Sequence, residues 1–360
     1  MLYLAIDQHR KQLTVNLRNE SGDVLLKRQV STQWPRVRKF LADIQKQSQA
    51  EGGFVAILEV CGLNDWLIKV LPEYGCGELI LVQPEKRSKK KTDRRDANSL
   101  GEILWVNRRR LLEGRSVQGV RRVRWPSLRE REDRQLTAVR KRLGQLHTKT
   151  INQVKYLLRK HNLEQECPTK GLDTIKGKKW LAELPLGPID RLQMDQLLTQ
   201  WKLWDEQIKK VAAEIQERQA ESKTAAVLAT IPGCGAYSSL ALASRVGPIE
   251  RFPRPASLAN YWGLTPGCRN SGEATDRLGS ITKQGSSMAR FMLGQMVLHV
   301  LRRDARMKAW YGRIKKRRGS KIARVAVMRR LATIIWHMVK YNEPYTVGGP
   351  PRRKLKVQAA

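Results

Sequence analysis

Two stretches decide the reading of the first third of the chain, Leu2-Tyr3-Leu4-Ala5-Ile6-Asp7 and Phe54-Val55-Ala56-Ile57-Leu58-Glu59. Each is a continuous apolar run of strand length that stops at a carboxylate. An ionised acid directly after a buried strand is costly unless something compensates it. Working outward, Leu13-Val15-Leu17 alternates and Val24-Leu25-Leu26 follows the turn signal Ser21-Gly22-Asp23, which predicts three early strands in hairpin succession. A helix over about 33–49, the strand at 54, a helix opened near Asn64 and a strand Leu79-Ile80-Leu81-Val82 closed by Pro84 complete the pattern. Strand-strand-strand-helix-strand-helix-strand-helix is an α/β order. It is that of the ribonuclease H-like fold, and it places Asp7 and Glu59 at the ends of neighbouring strands.

The charge changes abruptly after this segment. Sixty-nine Lys and Arg against thirty-three Asp and Glu leave a net charge of +36 over 360 residues. Residues 1–85 hold ten of each sign, so the whole excess lies beyond them, beginning with Lys86, Arg87, Lys89, Lys90, Lys91, Arg94 and Arg95. A neutral body followed by basic segments points to a nucleic-acid partner. The apolar fraction of 41% excludes a wholly disordered basic protein. Asp7, Arg10, Lys11 and Arg18 stand where a signal peptide needs apolar residues, and no eighteen-residue apolar run occurs, so the expected setting is the cytoplasm, near the nucleoid, away from membrane. The five cysteines form no CxxC pair, which argues against a zinc site or a disulfide framework.

Within the densest basic cluster, Lys91-Thr92-Asp93-Arg94-Arg95-Asp96-Ala97 carries two further acids, three apart at the start of a helix predicted from Asp93 to Val106. They share a face in the first turn, where the helix dipole favours negative charge. Four gathered carboxylates would repel one another; a pair of divalent cations removes that penalty and forms a clamp for phosphoryl displacement. Oxygen ligands favour Mg²⁺ or Mn²⁺ over zinc. Taken singly, each acid also reads as an ordinary strand-end or helix-start residue. His9 reads as a polar residue following a strand.

Farther on, Leu136, Val139, Leu143 and Leu146 predict one helix over about 128–163, and Leu197, Trp201, Trp204, Ile208, Val211 and Ile215 predict another with a coiled-coil seam. The pair either packs on itself or dimerises. After residue 224 short helices follow, broken by Pro232-Gly233-Cys234-Gly235, which is either a phosphate-holding hairpin or a structural corner, and by a Gly-rich loop over 263–285. Beyond 302 the helices are basic and include Trp310, Tyr311 and Trp336, read either as base-stacking surfaces or as buried anchors. The expected division is 1–125 catalytic, 126–223 coiled coil, 224–342 a mainly α C-terminal domain, and 343–360 a basic disordered tail.

The order of these motifs resembles the DEDD transposases of the insertion-sequence family one-ten, including its eleven-eleven subgroup, the bridge-RNA-guided recombinases. Ile231-Pro232-Gly233-Cys234-Gly235 is similar to the family's Pro-Gly-x-Gly turn. Gly263-Leu264-Thr265-Pro266 with Asn270-Ser271-Gly272, then Arg277-Leu278-Gly279-Ser280-Ile281-Thr282-Lys283-Gln284-Gly285 and Arg290, resembles its C-terminal signature. The likeness runs from residue 1 to about 300, and Gln284, Ser286 and Cys234 depart from the pattern.

The resemblance implies that Asp7, Glu59, Asp93 and Asp96 bind the metal ions and that Ser271 is the nucleophile of a C-terminal transposase domain. It further implies donor and target DNA as substrates, a structured noncoding guide RNA as partner, and a homo-oligomer, a dimer or dimer of dimers. From the residues alone, Asn-Ser-Gly reads as a turn, and Ser238 and Ser239 compete with Ser271. A RuvC-like junction nuclease, a site-specific DNA invertase and a non-catalytic RNA-binding protein are the alternative functions.

Overall fold

A computed structural model describes residues 1–84, 93–268 and 278–350 of the chain. It divides into two compact units, Met1–Trp125 and Pro126–Ala360.

In the first unit, strands β1 (Leu2–Gln8), β2 (Gln12–Arg18) and β3 (Val24–Ser31) form an antiparallel meander. Helix α1 (Trp34–Gln49) then crosses over so that β4 (Phe54–Glu59) lies parallel to β1, as such a connection allows only with a long crossover. After the short helix α2 (Asp65–Val70), β5 (Cys76–Pro84) joins parallel to β4. Helices α3 (Asp93–Val106) and α4 (Arg108–Leu112) follow. A sixth strand, β6 (Val120–Arg122), pairs antiparallel with the end of β5 and gives the order β3-β2-β1-β4-β5-β6. Sequence reading found no β6, because Val-Arg-Arg is too short and too basic to stand out. It is a brief edge strand, held by Arg122, which donates to Glu78 at 2.6 Å and to the carbonyl of Leu111 at 2.6 Å.

Strand alternation sorts the central residues between two layers. Leu2, Leu4 and Ile6 of β1, with Phe54, Ala56 and Leu58 of β4, pack on Val37, Phe40, Leu41 and Ile44 of α1. Tyr3, Ala5, Val55 and Ile57 face the opposite way, onto Leu100 and Leu104 of α3. In β2 the alternation of Leu13, Val15 and Leu17 with Thr14, Asn16 and Arg18 suggests one wet face. The structure buries both faces: Asn16 is 1% and Arg18 7% exposed, because α3 covers the polar side.

The second unit opens with two long helices, α5 (Leu128–Lys160) and α7 (Pro188–Ala220), separated by α6 (Ile175–Glu183). A capping box of Ser127 and Glu130 starts α5, and Pro188 starts α7. They run antiparallel, as their cross-links show. Arg129 pairs with Glu221 at 2.6 Å, Arg218 with Asp133 at 3.1 Å, Trp204 Nε1 donates to Thr150 Oγ1 at 3.2 Å, and Lys160 pairs with Asp190 at 2.8 Å. Of the predicted seam, Leu197, Trp201 and Ile215 are buried while Trp204, Ile208 and Val211 are half-buried. Leu197 and Trp201 join Val154, Leu157 and Leu158 of α5 in one apolar cluster.

A second cluster is built by α8 (Lys223–Leu228), α9 (Ala236–Val246), α10 (Pro255–Tyr261), α11 (Ser287–Arg303) and α12 (Ala305–Tyr341), with the small hairpin of β7 (Pro266–Cys268) and β8 (Leu278–Ile281). Trp336 is 2% exposed and its indole N–H donates to the carbonyl of Phe252 at 2.8 Å, so it anchors the core and offers no stacking surface. Trp310 and Tyr311 are half-buried against the same cluster. Residues 343–350 were expected in a disordered tail, yet they bond to the domain. Tyr345 donates its hydroxyl to Asp304 at 2.6 Å and its N–H to Thr230 Oγ1 at 2.9 Å, and Gly348 N–H donates to Asp304 at 2.9 Å. Asp304 is fully buried and also caps α12, so a buried carboxylate collects these donors. Among the described residues no helix is long and apolar enough to cross a membrane.

Candidate active site

The register of the parallel pair ends with Ile6 opposite Leu58, so Asp7 and Glu59 are the next residues on adjacent strands, about 4.8 Å apart in backbone spacing. Alternation puts both on the layer that holds Tyr3, Ala5, Val55 and Ile57, the layer covered by α3. The side chain of Asp7 is 13% exposed, and Nε2 of His9 lies 3.1 Å from its Oδ2. Glu59 is half-buried. Sequence reading set His9 aside, since nothing in the sequence tells that the turn after β1 folds its ring back onto Asp7.

Two polar clamps fix the elements around these acids, one at this end of the sheet and one along α3 towards the other end. In the first, the Asn64 amide donates to Gln8 Oε1 at 2.9 Å and accepts the N–H of Cys61, while Gln8 donates to the carbonyl of Leu63 at 2.7 Å. Asn64 and Gln8 are buried, so they tie the segment after Glu59 to the end of β1. In the second, Asn16 donates to Asn98 Oδ1 at 3.2 Å, Arg18 donates to Asn16 Oδ1 at 3.3 Å, and Arg18 pairs with Glu102 at 2.6 Å. Farther along α3, the Trp105 indole donates to the carbonyl of Glu20 at 3.1 Å. Advancing along α3 from 98 to 105 thus follows β2 from 16 towards 20. Because β2 is antiparallel to β1, α3 is antiparallel to β1 as well, and its N-terminal end is directed towards the level of Asp7.

Gly101 makes the second clamp possible. A Cβ there would stand 2.4 Å from Oδ1 of the buried Asn16. Gly101→Val should therefore lower stability by about 2–3 kcal/mol as overpacking. Urea denaturation of the variant beside the parent chain measures this, and an unchanged midpoint would show that the helix is not seated by this contact.

Asp93 and Asp96 occupy the first turn of α3, but their side chains lie outside the described residues. The basic cluster from Lys86 to Lys91 lies outside them too. Among the described residues no group of three or more His, Cys, Asp or Glu forms a metal cluster. What the described part supplies is two hard carboxylates on one layer and, over β2, a polar hollow. The hollow, about 460 Å³, is lined by Thr14, Asn16, Asn98, Lys27 and Arg28, and Oγ1 of Thr14, the register partner of Asp7, is buried without a hydrogen-bond partner among the described residues. Oxygen donors of this kind suit a divalent cation of the Mg²⁺ or Mn²⁺ type.

Ser271 falls in the connection between β7 and β8, outside the described residues. The base of that hairpin is closed by Thr282 N–H donating to Thr265 at 3.0 Å and Lys283 N–H to Gly263 at 3.2 Å. Arg290 of α11 supports it by donating to the carbonyls of Trp262 at 2.9 Å and Gln284 at 3.1 Å. Of the competing serines, Ser239 is fully buried and donates to the carbonyl of Ala236 at 3.1 Å, which withdraws it from any substrate. Ser238 is half-buried in α9. The Pro232-Gly233-Cys234-Gly235 turn packs as a corner: Cys234 is buried with its N–H donated to Ile231 at 2.9 Å, and His299 fills the space where a side chain on Gly233 would stand. Burial raises the Cys234 thiol pKa to about 12, so it is no nucleophile.

The basic surface of the second unit has a definite shape. The guanidinium of Arg330 sits 4.8 Å from the ring centre of Trp310. Twenty residues of straight helix would separate them by about 30 Å, so α12 reverses between them. The reversal is at Gly319, whose φ of 81° and ψ of 165° break the helix in a region that favours glycine. Lys315, Lys316, Arg317, Arg318 and Lys321 at this reversal are all exposed, and no Asp or Glu occurs from 305 to 341.

Known proteins share both units. A family model described as Transposase, of the DEDD IS110 type, matches residues 4–163. Another, described as Transposase IS116/IS110/IS902 family, matches residues 225–312. The chain is similar to the transposase for insertion sequence element IS1111A of Coxiella burnetii (strain RSA 493 / Nine Mile phase I), with 27% identity over 309 residues, 81% of this chain and 79% of that protein. It is also similar to the transposase for insertion sequence element IS1328 of Yersinia enterocolitica, with 27% identity over 135 residues, 36% of this chain and 40% of that protein.

Proposed function

The chain belongs to the IS116/IS110/IS902 transposase family, with a DEDD transposase segment of the IS110 type, and from that premise we propose that it is a DNA recombinase moving an insertion sequence under the guidance of an element-encoded noncoding RNA. The first unit is a ribonuclease H-like domain, and Asp7, Glu59, Asp93 and Asp96 are its metal-holding residues. The observation that carries this reading is the placement of Asp7 and Glu59 side by side on one layer, with the first turn of α3 directed towards them.

Divalent ions held there, Mg²⁺ or Mn²⁺, would stabilise the charge that builds on a phosphodiester during displacement. The chain supplies the rest. Asp7 and Glu59 present fixed oxygens from a rigid sheet, the Asn64–Gln8 clamp keeps the Glu59 segment against β1, and the Asn16–Arg18–Glu102 clamp seats the helix that bears Asp93 and Asp96. Ser271 is the nucleophile. Its Oγ–H gives up its proton, an Oγ–P bond forms as one P–O bond to deoxyribose breaks, and the departing sugar oxygen takes up a proton. A second strand's hydroxyl reverses this step and releases the serine, which exchanges strands without free ends. A homo-oligomer with donor and target DNA bound together suits such an exchange.

The test is reconstitution of the full chain with DNA spanning the element's ends and RNA transcribed from the flanking noncoding stretch. Joined donor–target products that require both RNA and a divalent ion support the proposal; cleavage to free ends without joining would replace it by a nuclease.

The α12 reversal is the grip. Replacing Lys315, Lys316, Arg317 and Arg318 by Ala should lower the salt slope of duplex DNA binding by about 3 to 4, since each phosphate contact contributes about 0.9. Fluorescence anisotropy over a salt series reads this; an unchanged slope places the phosphate contacts elsewhere.

A further inference from the structure

A groove of about 830 Å³ runs along α5 in the second unit, between Arg140 and Tyr156, with walls from α7, α9 and α11. Its cations are Arg140, Lys141 and Lys149 and its aromatics Tyr156, Tyr237 and Phe291, and no Asp or Glu is among its lining residues. Cations and rings are interleaved. The ammonium of Lys141 is 4.7 Å from the Phe291 ring centre, and the guanidinium of Arg140 is 5.5 Å from that of Tyr237. Tyr156 is 69% and Phe291 38% exposed, whereas the aromatics of α12 are spent on the core. Gln145 and Asn152, on the same stripe of α5, present exposed amides able to donate to and accept from base edges.

We propose that this groove binds a single nucleic-acid strand, its phosphates on the cations and its unpaired bases on Tyr156 and Phe291. A duplex would use the cations alone, because its bases are stacked inside; exposed rings beside cations match unstacked bases. An acidic protein surface would leave the rings without an occupant. The stripe from Lys141 to Tyr156 is about 22 Å long, room for a few nucleotides. The inference rests on the recombinase reading only for which strand arrives, an RNA loop or an opened DNA strand; the ligand chemistry is the same for both.

The experiment measures binding alone, so that its failure is separate from a failure of strand exchange. Fluorescein-labelled oligouridylate, oligothymidylate and a duplex of equal length are titrated with the full chain at salt high enough to suppress purely electrostatic binding. Tyr156→Ala combined with Phe291→Ala should weaken both single strands about tenfold or more and leave the duplex within about twofold, while Tyr156→Trp should retain affinity. Asn152→Glu, at an exposed position that leaves the core intact, should weaken single strands as well, by placing a carboxylate beside the cations. The ratio of the uridylate and thymidylate affinities assigns the strand as RNA or DNA. Photocrosslinking from thiouracil-containing strands should map to peptides holding Tyr156 or Phe291. Equal losses for single strand and duplex on removing the two rings, no loss of single-strand affinity in that variant or in Asn152→Glu, or crosslinks confined to other helices would overturn the proposal.

Discussion

Asp7→Asn should reduce DNA strand cleavage by about a thousandfold or more while duplex and RNA affinity stay within a few-fold of the parent chain. The size follows from the role proposed for Asp7: a residue that acts as one unit with its partners removes most of the catalysis when it alone is lost. Binding survives because the basic residues of α12 and the α5 groove belong to the second unit. The same change should appear without any reaction. A divalent ion that binds only the folded chain stabilises it in proportion to the logarithm of its concentration over its dissociation constant. The parent chain should therefore gain thermal stability on adding Mg²⁺ or Mn²⁺, and Asp7→Asn and Glu59→Gln should lose that gain. Full cleavage by Asp7→Asn, or an undiminished stabilisation by the ion, would remove the carboxylates from the reaction.

Ser271→Ala should abolish the protein–DNA adduct and strand exchange together, with the ion-dependent stabilisation of the first unit intact. Loss of the hydroxyl removes the attacking group and leaves the carboxylates untouched. The measurement is an adduct that resists denaturation, formed with RNA and matching DNA and digested to identify the linked peptide. A nuclease that activates water would cleave as well with alanine at 271 as with serine. An adduct mapped to Ser238 would relocate the nucleophile to α9; strand exchange by Ser271→Ala with no adduct on any serine would overturn the covalent mechanism.

The alternation and run lengths of the first eighty residues made the sheet and its two terminal acids legible, since a strand buried on both faces is written as an uninterrupted apolar run. What escaped was whatever depends on contact between distant residues. Asn16 and Arg18 look like a solvent face until α3 is laid over them, and Gln8 and Asn64 are 56 positions apart in sequence yet share a hydrogen bond. The helical seam of Leu197, Trp201 and Ile215 was visible from its period, but the antiparallel partner was fixed by pairs such as Arg129–Glu221 that no spacing announces. The reversal in α12 was hidden for another reason: Gly319 lies inside a basic stretch whose helical pattern continues on both sides, and one glycine in a helix is ordinarily tolerated.

That reversal and the strand pairing differ in what they demand of a refolding chain. The contact between Trp310 and Arg330 closes a loop of twenty residues, while Asp7 and Glu59 meet only when a segment of 52 has been closed and α1 packed. The added loop-closure cost is only about 0.8 kcal/mol, yet the parallel pair must also wait for its crossover helix, and non-local pairing is slow. On the function proposed above, a chain returning from denaturant should therefore acquire its affinity for nucleic acid before its chemistry, and its early compact forms should bind DNA and leave it uncut.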